Sequence, residues 1–321
     1  MSYAQYATIE AGDFNTLVTG FANGAANTST AALNTVWATG TQNRGYGQTA
    51  IVAETAGNTI TATKWAALVS NTANSASHQS SSITSVTAPA VGNTITYLSA
   101  IPTNLTTIYN NRLNAVSQSS TSSNAAVYAS TWASAITFTH TITFANGDAA
   151  RYFFNSGGQL AITATHANST SGINLLLNNL ASNVGTVVLS SPTTGTATIA
   201  STSYNGVTKV GGGGSTPTIS TNSGYYSWTT SNANIFYQTA STGPSGYLST
   251  NINIFVKTNG TVGSNGDVGN VITIYTVWDE IPNGLTVGTG STTTVTIRPP
   301  ETTYIANTWG TPTVGGTVTG S

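Results

Sequence analysis

Residues 136 to 144 read Ile-Thr-Phe-Thr-His-Thr-Ile-Thr-Phe, an unbroken alternation of large apolar and β-branched hydroxyl side chains. Ile136, Phe138, His140, Ile142 and Phe144 share one side, and Thr137, Thr139, Thr141 and Thr143 share the other. A period of two is the signature of a β-strand with one covered face, so the chain must supply a layer to cover it. Ala145-Asn146-Gly147-Asp148 then has the residues of a tight reversal. A second strand is expected over 149–154, a second reversal at Asn155-Ser156-Gly157-Gly158, and a third strand over 159–165 with Leu160, Ile162 and Ala164 on one face. The pattern predicts a three-stranded antiparallel meander over 136–166.

The middle strand of that meander departs from simple alternation. Tyr152 and Phe154 face one way, while Phe153 faces the other beside Arg151. An antiparallel strand with one wet face should be polar there. Aromatics on both faces call for cover on both, by a second sheet of the same chain or by a neighbouring copy of it.

The first third of the chain has helical spacing instead. Ile9, Phe14, Leu17, Val18 and Phe21 fit one helix face, with Asp13 in the first turn, where the helix dipole favours an anion. Ile60, Trp65, Leu68 and Val69 repeat the pattern, aligning Ile9–Val18 with Ile60–Val69, and Thr61 is a candidate N-cap. Gly-Asn-Thr-Ile-Thr occurs at Gly57 and again at Gly92. A third helix is expected over 99–116, with Pro102 in its first turn. Gly40 to Gln48 is a glycine-punctuated loop, read as an ordered turn carrying Tyr46 because it lacks the lysine of a phosphate loop.

The polar run 117–131 reads as a join. From Trp132 the signals are mostly strands, over 186–189, 225–229, 235–239, 251–257, 271–279 and 293–298, with a helix over 173–184. In 271–279 both faces are again largely apolar. Val210 to Ser215, with four consecutive glycines, must be a flexible loop or a close backbone contact. Strands at this spacing favour an antiparallel sandwich over a parallel α/β fold. The expected architecture is mainly β (α+β): a helical N-terminal region over 1–125, serving anchoring or oligomerisation, and an antiparallel β-sandwich-like domain over 126–321.

Composition narrows the function. Only 5% of the 321 residues are charged, against roughly 25% in ordinary soluble domains. Yet 39% are apolar and aromatics are frequent, so the chain has the means to fold. Its surface must be hydroxyl and amide, and a net charge of −1 gives little repulsion between copies. The seven basic residues are scattered, so neither nucleic acid nor an anionic membrane is an expected partner. No run approaches the ~20 apolar residues of a membrane span, the first residues lack a secretory signal pattern, and there is no cysteine for disulfide or thiol chemistry.

Catalysis is poorly provisioned. His140, His166 and Asp148 fall within the expected meander, but no zinc-ligand spacing is present, and His140 reads as a core or interface histidine. The eight carboxylates form no pair suited to glycoside hydrolysis; Asp279 and Glu280 are sequential and diverge. No catalytic, cofactor-binding or metal residue is therefore assigned, no cofactor is expected, and the chain is read as no enzyme. Tyr225, Tyr226 and Trp228, grouped near a turn, are candidate glycan contacts, with packing inside the protein as the competing role.

Four stretches together resemble a family. They are Ile60-x-Ala62-x-x-Trp65-x-x-Leu68 with His78-Gln79, Ile108-Tyr109-Asn110-Asn111-Arg112, Ala150-Arg151-Tyr152-Phe153-Phe154-Asn155-Ser156-Gly157-Gly158, and Thr302-Thr303-Tyr304 with Asn307-Thr308-Trp309-Gly310. They resemble virion structural proteins of tailed bacteriophages, of the marine T4-like type that infects cyanobacteria. The resemblance implies a non-enzymatic particle component of tail, baseplate or fibre, present in the virion after assembly in the host cytoplasm. It implies a homo-oligomer, with a trimer favoured, in contact with other virion proteins. On that reading Arg151, Tyr152, Phe153 and Phe154 form the subunit interface. A receptor- or glycan-binding fibre protein and a capsid decoration protein are the alternatives.

Overall fold

The computed structural model describes residues 9–22, 25–26, 31–93, 95, 99–119, 122–168, 172–220, 223–282 and 284–320. The second Gly-Asn-Thr-Ile-Thr copy and the turn before Tyr225 lie partly outside these. In chain order the elements are α1 (Ala11–Thr19), β1 (Phe21–Ala22), β2 (Ala25–Ala26), α2 (Leu33–Val36), α3 (Ala62–His78), α4 (Ala100–Asn110), β3 (Ser122–Tyr128), β4 (Ala135–Thr143), α5 (Gly147–Asn155), β5 (Gln159–His166) and α6 (Gly172–Val184). There follow β6 (Thr186–Leu189), β7 (Ala197–Ile199), β8 (Thr202–Tyr204), β9 (Val207–Val210), β10 (Thr218–Ile219), a 3₁₀ turn (Tyr225–Ser227), β11 (Ala233–Thr239), β12 (Asn251–Thr258), β13 (Val271–Asp279), β14 (Ser291–Arg298) and β15 (Thr313–Gly320).

The fold is mainly β, with a small helical region ahead of antiparallel sheets. A six-stranded sheet has the order β10-β11-β12-β13-β4-β15, and a five-stranded sheet the order β3-β14-β5-β6-β9. Their inner faces form a sandwich-like core. Ile272, Ile274, Thr276 and Trp278 of β13 are buried, as are Ser291, Thr293, Val295 and Ile297 of β14. The Trp278 indole Nε1–H donates to Thr293 Oγ1 at 3.3 Å, linking one sheet to the other. One buried cluster runs without a break from Phe14 in α1 through both sheets to Trp309.

The helices form where the 3.6-residue period puts apolar side chains on one face. In α1 Asp13 accepts from the Glu10 amide at 3.1 Å, and Gly20 ends the helix at φ +73°. Thr61 caps α3, its hydroxyl accepting from Lys64 N at 3.3 Å. Buried Trp65 and Leu68 of α3 join Phe14 and Leu17 of α1 and Ile101, Leu105 and Ile108 of α4 in the core. Helix α4 stops at Asn110, short of the expected 116, because the chain turns there to bring Val116 N within 2.6 Å of His78 O.

The stretch 136–166 is not a meander. Residues 147–155, expected as a strand, form α5. The Asn146 side chain accepts from Ala149 N at 2.8 Å, and Asp148 occupies the first turn. The same Asn-Gly-Asp that suits a hairpin turn also suits a helix start. Ala149, Ala150, Phe153 and Phe154 then lie at helical spacing, all buried. Helix α5 thus carries the chain from β4 in one sheet to β5 in the other.

Three further segments differ from expectation. The polar run 117–131 contains β3, an edge strand paired in register with β14 from Ser122↔Ile297 to Tyr128↔Ser291. The glycine-rich tail contains β15, paired with β4 from Thr313↔Thr143 to Gly320↔Ile136. Tyr225–Ser227 is a 3₁₀ turn instead of a strand, since Tyr225 and Trp228 both turn inward. The glycine run after Val210 is a close backbone contact: at Gly212 (φ +70°) a Cβ would sit 2.2 Å from Asn183 O.

Candidate functional site: a buried polar hub around Tyr46

The loop 40–48 is where the helices, α5, the 3₁₀ turn and the 306–308 segment meet. Gly40 and Gly45 have φ of +51° and +91°, and a Cβ on Gly45 would lie 2.3 Å from Thr39 O, so the loop can close only with glycine there. The closure points a row of backbone carbonyls outward from the loop. Asn155 Nδ2 reaches the carbonyls of Gln42, Arg44 and Gly45, each at 3.1 Å. Arg151 Nη1 donates to Arg44 O at 2.9 Å while Nη2 and Nε fork onto Asp148 Oδ1 at 3.0 and 3.2 Å. Arg112 Nε and Nη2 donate to Asn43 O and Oδ1 at 2.9 and 3.1 Å.

Tyr46 sits at the centre, fully buried. Its hydroxyl donates to Arg112 O at 2.7 Å and accepts from Gln79 Nε2 at 2.7 Å. The His78 ring meets the Tyr46 ring edge-on at 5.3 Å, and His78 Nε2–H donates to Ser156 O at 2.9 Å. On the other flank, Gln48 exchanges two 2.9 Å hydrogen bonds with the Ala306 backbone, and Thr308 Oγ1 donates to Tyr46 O at 2.5 Å. Buried polar groups are costly unless paired, and here five distant segments supply partners to one another, with His78 Nδ1, Gln79 Oε1 and Ser156 Oγ left without a hydrogen bond among the described residues. Hydrogen-bond partners from such separations leave no mark in local spacing, so Gln48, Gln79, Arg112 and Asn155 went unassigned as structural residues. The one available signal was the glycine pair flanking polar side chains and a tyrosine.

Arg151, Phe153 and Phe154 belong to this interior. All three are fully buried within the chain, which removes them from a subunit interface. Phe154 stacks on Tyr225 at 4.4 Å and meets Trp228 and Phe153 edge-on at 5.7 and 5.1 Å. Tyr152 alone of the four is partly exposed, with the Arg151 guanidinium 4.7 Å above its ring. The same cluster takes two of the candidate glycan contacts. Tyr225 and Trp228 are buried, and sugar stacking on either would require the core to open. Tyr226 lines a surface hollow of about 290 Å³ with Gln42, Asn43, Thr193, Thr194 and Ser264. Its ring, however, is edge-on to Tyr225 at 5.2 Å and covered by Gly263, where a Cβ would come within 2.7 Å of it. Its hydroxyl lies against Gln42 O and Asn155 Oδ1.

Several ionisable groups are held inside the fold or by structural partners. His140 is buried on β4 beside Asn124, whereas His166, on the other sheet, bonds Ser291 Oγ at 3.0 Å and Asn174 Oδ1 at 3.1 Å. They and Asp148 therefore do not converge, and among the described residues no three His, Asp or Glu gather as a metal site. Glu54 pairs with Lys64, Asp267 accepts from Ser264 N at 2.7 Å, and Glu280 accepts from Gly284 N at 3.1 Å. Among the described residues no helix is long and apolar enough to cross a membrane.

Burial sets the titration of the hub. It pushes the Tyr46 hydroxyl up and the His78 imidazole down to about 4, the Ser156 carbonyl opposing the second shift. In the unfolded chain His78 titrates near 6.5, so the unfolded state binds the extra proton between these values. Stability from this group is complete above pH 6.5 and is lost as pH falls toward 4, by about 3 kcal/mol. Burial lowers His140 and His166 as well, adding to the loss. Asp279 and Glu280, raised by burial, act with the opposite sign and favour the folded state at low pH. Urea titrations at pH 7 and pH 4.5 should show a net loss of stability at the lower pH. The His78 ring should remain neutral by NMR down to about pH 4.

The chain matches no protein-family model, no curated protein and no solved structure.

Proposed function

We propose that this chain is a non-enzymatic structural component of a bacteriophage virion, associated with tail, baseplate or fibre, that works by assembling with itself and with neighbouring virion proteins. The observation that carries the reading is the convergence of the stretches that resemble such proteins. His78-Gln79, Arg112, Asn155-Ser156 and Thr308 come from four separate parts of the sequence, and all of them bond at the Tyr46 hub or directly beside it. These residues face one another in the interior, where they brace the fold, and not a cleft that could hold a substrate.

The distribution of charge supports the same reading. Glu54, Lys64, Asp148, Arg151 and Glu280 serve as internal braces, so few charges are left beside the hydroxyl, amide and aromatic side chains that would meet a partner. Interfaces are depleted of charge and enriched in aromatics at their centre. A sandwich-like scaffold of this kind suits a repeating particle component.

Labelled antibody against the chain, imaged on purified particles by electron microscopy, tests the location. Label at the tail or baseplate is the expected result. Label over the capsid shell would transfer the protein to the decoration reading, and particles free of label would overturn the virion assignment.

A further inference from the structure

The outer face of the six-stranded sheet, on the side away from the second sheet, keeps a row of partly exposed side chains. In β13 the outward residues are Val271, Thr273, Tyr275, Val277 and Asp279, all partly exposed. Beside them on β12 lie Asn253, Phe255 and Lys257, with Phe255 directly across from Tyr275 and Lys257 across from Thr273. On the other flank β4 presents Thr137, Thr139 and Thr141, and Tyr237 of β11 lies across from Asn253, in the Val277 row. The inner residues of the same strands fill the core, while Phe255, Tyr275 and Val277 of this second row stay partly exposed.

The two charges on the β12–β13 part of this face stand at opposite ends of it. Lys257 is in the row of Thr273, with its ammonium 5.4 Å from the Tyr275 ring, and Asp279 is in the row of Asn251. A two-fold axis lying between two such faces and crossing the strands midway between the Tyr275 and Val277 rows reverses strand direction. It brings the Lys257 row of each copy onto the Asp279 row of the other, and it packs the Phe255–Tyr275 row against the Asn253–Val277 row at the centre. An isologous contact needs this self-complementarity, because each residue of the pair must be supplied by both copies. Aromatics at the centre with opposite charges at the rim match the anatomy of protein interfaces.

We propose that a second copy of this chain docks on the outer face of the six-stranded sheet through β12 and β13, two-fold related, with Lys257 of each copy paired to Asp279 of the other. The proposal deepens the reading of the chain as a self-assembling protein and rests on it. It replaces the expected trimer by a dimer, or an assembly built from dimers, and moves the contact from α5 to β12 and β13.

Sedimentation velocity on the full chain tests it, with wild type, Tyr275→Glu, Lys257→Glu, Asp279→Lys and the double exchange Lys257→Glu with Asp279→Lys. All four variants change partly exposed outer-face side chains, and circular dichroism with urea unfolding verifies that each remains folded. Wild type is expected to be dimeric. Tyr275→Glu and each single charge reversal should weaken the dimer at least tenfold, and the double exchange should restore most of it. A wild-type dimer indifferent to all of these substitutions, or a wild-type trimer, would overturn this face while leaving self-assembly in place. A wild type that stays monomeric at high concentration would overturn both.

Discussion

Phe154→Ala will lower the unfolding free energy by about 3–5 kcal/mol, the range for deleting a fully buried phenylalanine. The ring is completely enclosed and touches Tyr225, Trp228, Phe153 and Phe144, so its removal leaves a void walled by rigid aromatics. Walls of that kind collapse poorly, which places the loss toward the upper end. Urea unfolding gives the value directly. An unfolding free energy changed by less than about 1 kcal/mol, together with a weaker self-association, would return Phe154 to a subunit interface and refute the core described above.

Arg151→Ala is expected to cost about 3–5 kcal/mol, as breaking a buried ion pair by removing one partner does. The guanidinium is enclosed and braces two directions at once, toward Asp148 and toward the Arg44 carbonyl. Asp148 keeps some exposure, which solvates part of the stranded charge and points to the lower end of that range. Arg151→Lys should recover only a minor part, because a single ammonium cannot reproduce the planar fork. Hydrogen exchange supplies a local readout. The amides of Tyr46, Gly47 and Gln48, bonded to the Val36, Ala38 and Trp37 carbonyls, should exchange faster in Arg151→Ala. Unchanged protection there would mean that the loop does not depend on α5.

Much of the architecture is legible in the sequence because it rests on local periodicity. The alternation Ile136–Thr143 is β4, the pattern Val271–Asp279 is β13, and Ile173, Leu176, Leu177, Leu180 and Val184 are the buried face of α6. The elements that escaped are those whose local chemistry is ambiguous. Asn146-Gly147-Asp148 serves a hairpin or a helix cap equally, and only the sheets that β4 and β5 join decide between them. Gly315 and Gly316 carry no side chain to declare a strand, yet β15 needs Gly316: a Cβ there would come within 2.3 Å of Asn124 Oδ1 and 3.0 Å of the His140 ring. Ser122 to Tyr128 reads as a linker because an edge strand exposes most of its side chains.

The site residues were harder to read for a different reason. Aromatics near turns, as at Tyr225 and Trp228, look the same in sequence whether they point outward to a ligand or inward to Phe154. The aromatic run at 151–154 reads as a strand that needs cover on both faces, by a second sheet or a neighbouring copy. A buried helix linking the two sheets meets that need instead.

The place of β4 in its sheet has a consequence for how the protein is made. Its two neighbours are β13 and β15, both translated long after it. On the ribosome Ile136, Phe138 and Ile142 emerge with no partner available and must wait for the last third of the chain. Pairings this distant in sequence fold slowly. The nascent chain therefore spends its synthesis with a greasy, uncharged ribbon in the open, a natural client for chaperones. It becomes competent to assemble only once β13 and β15 have been made.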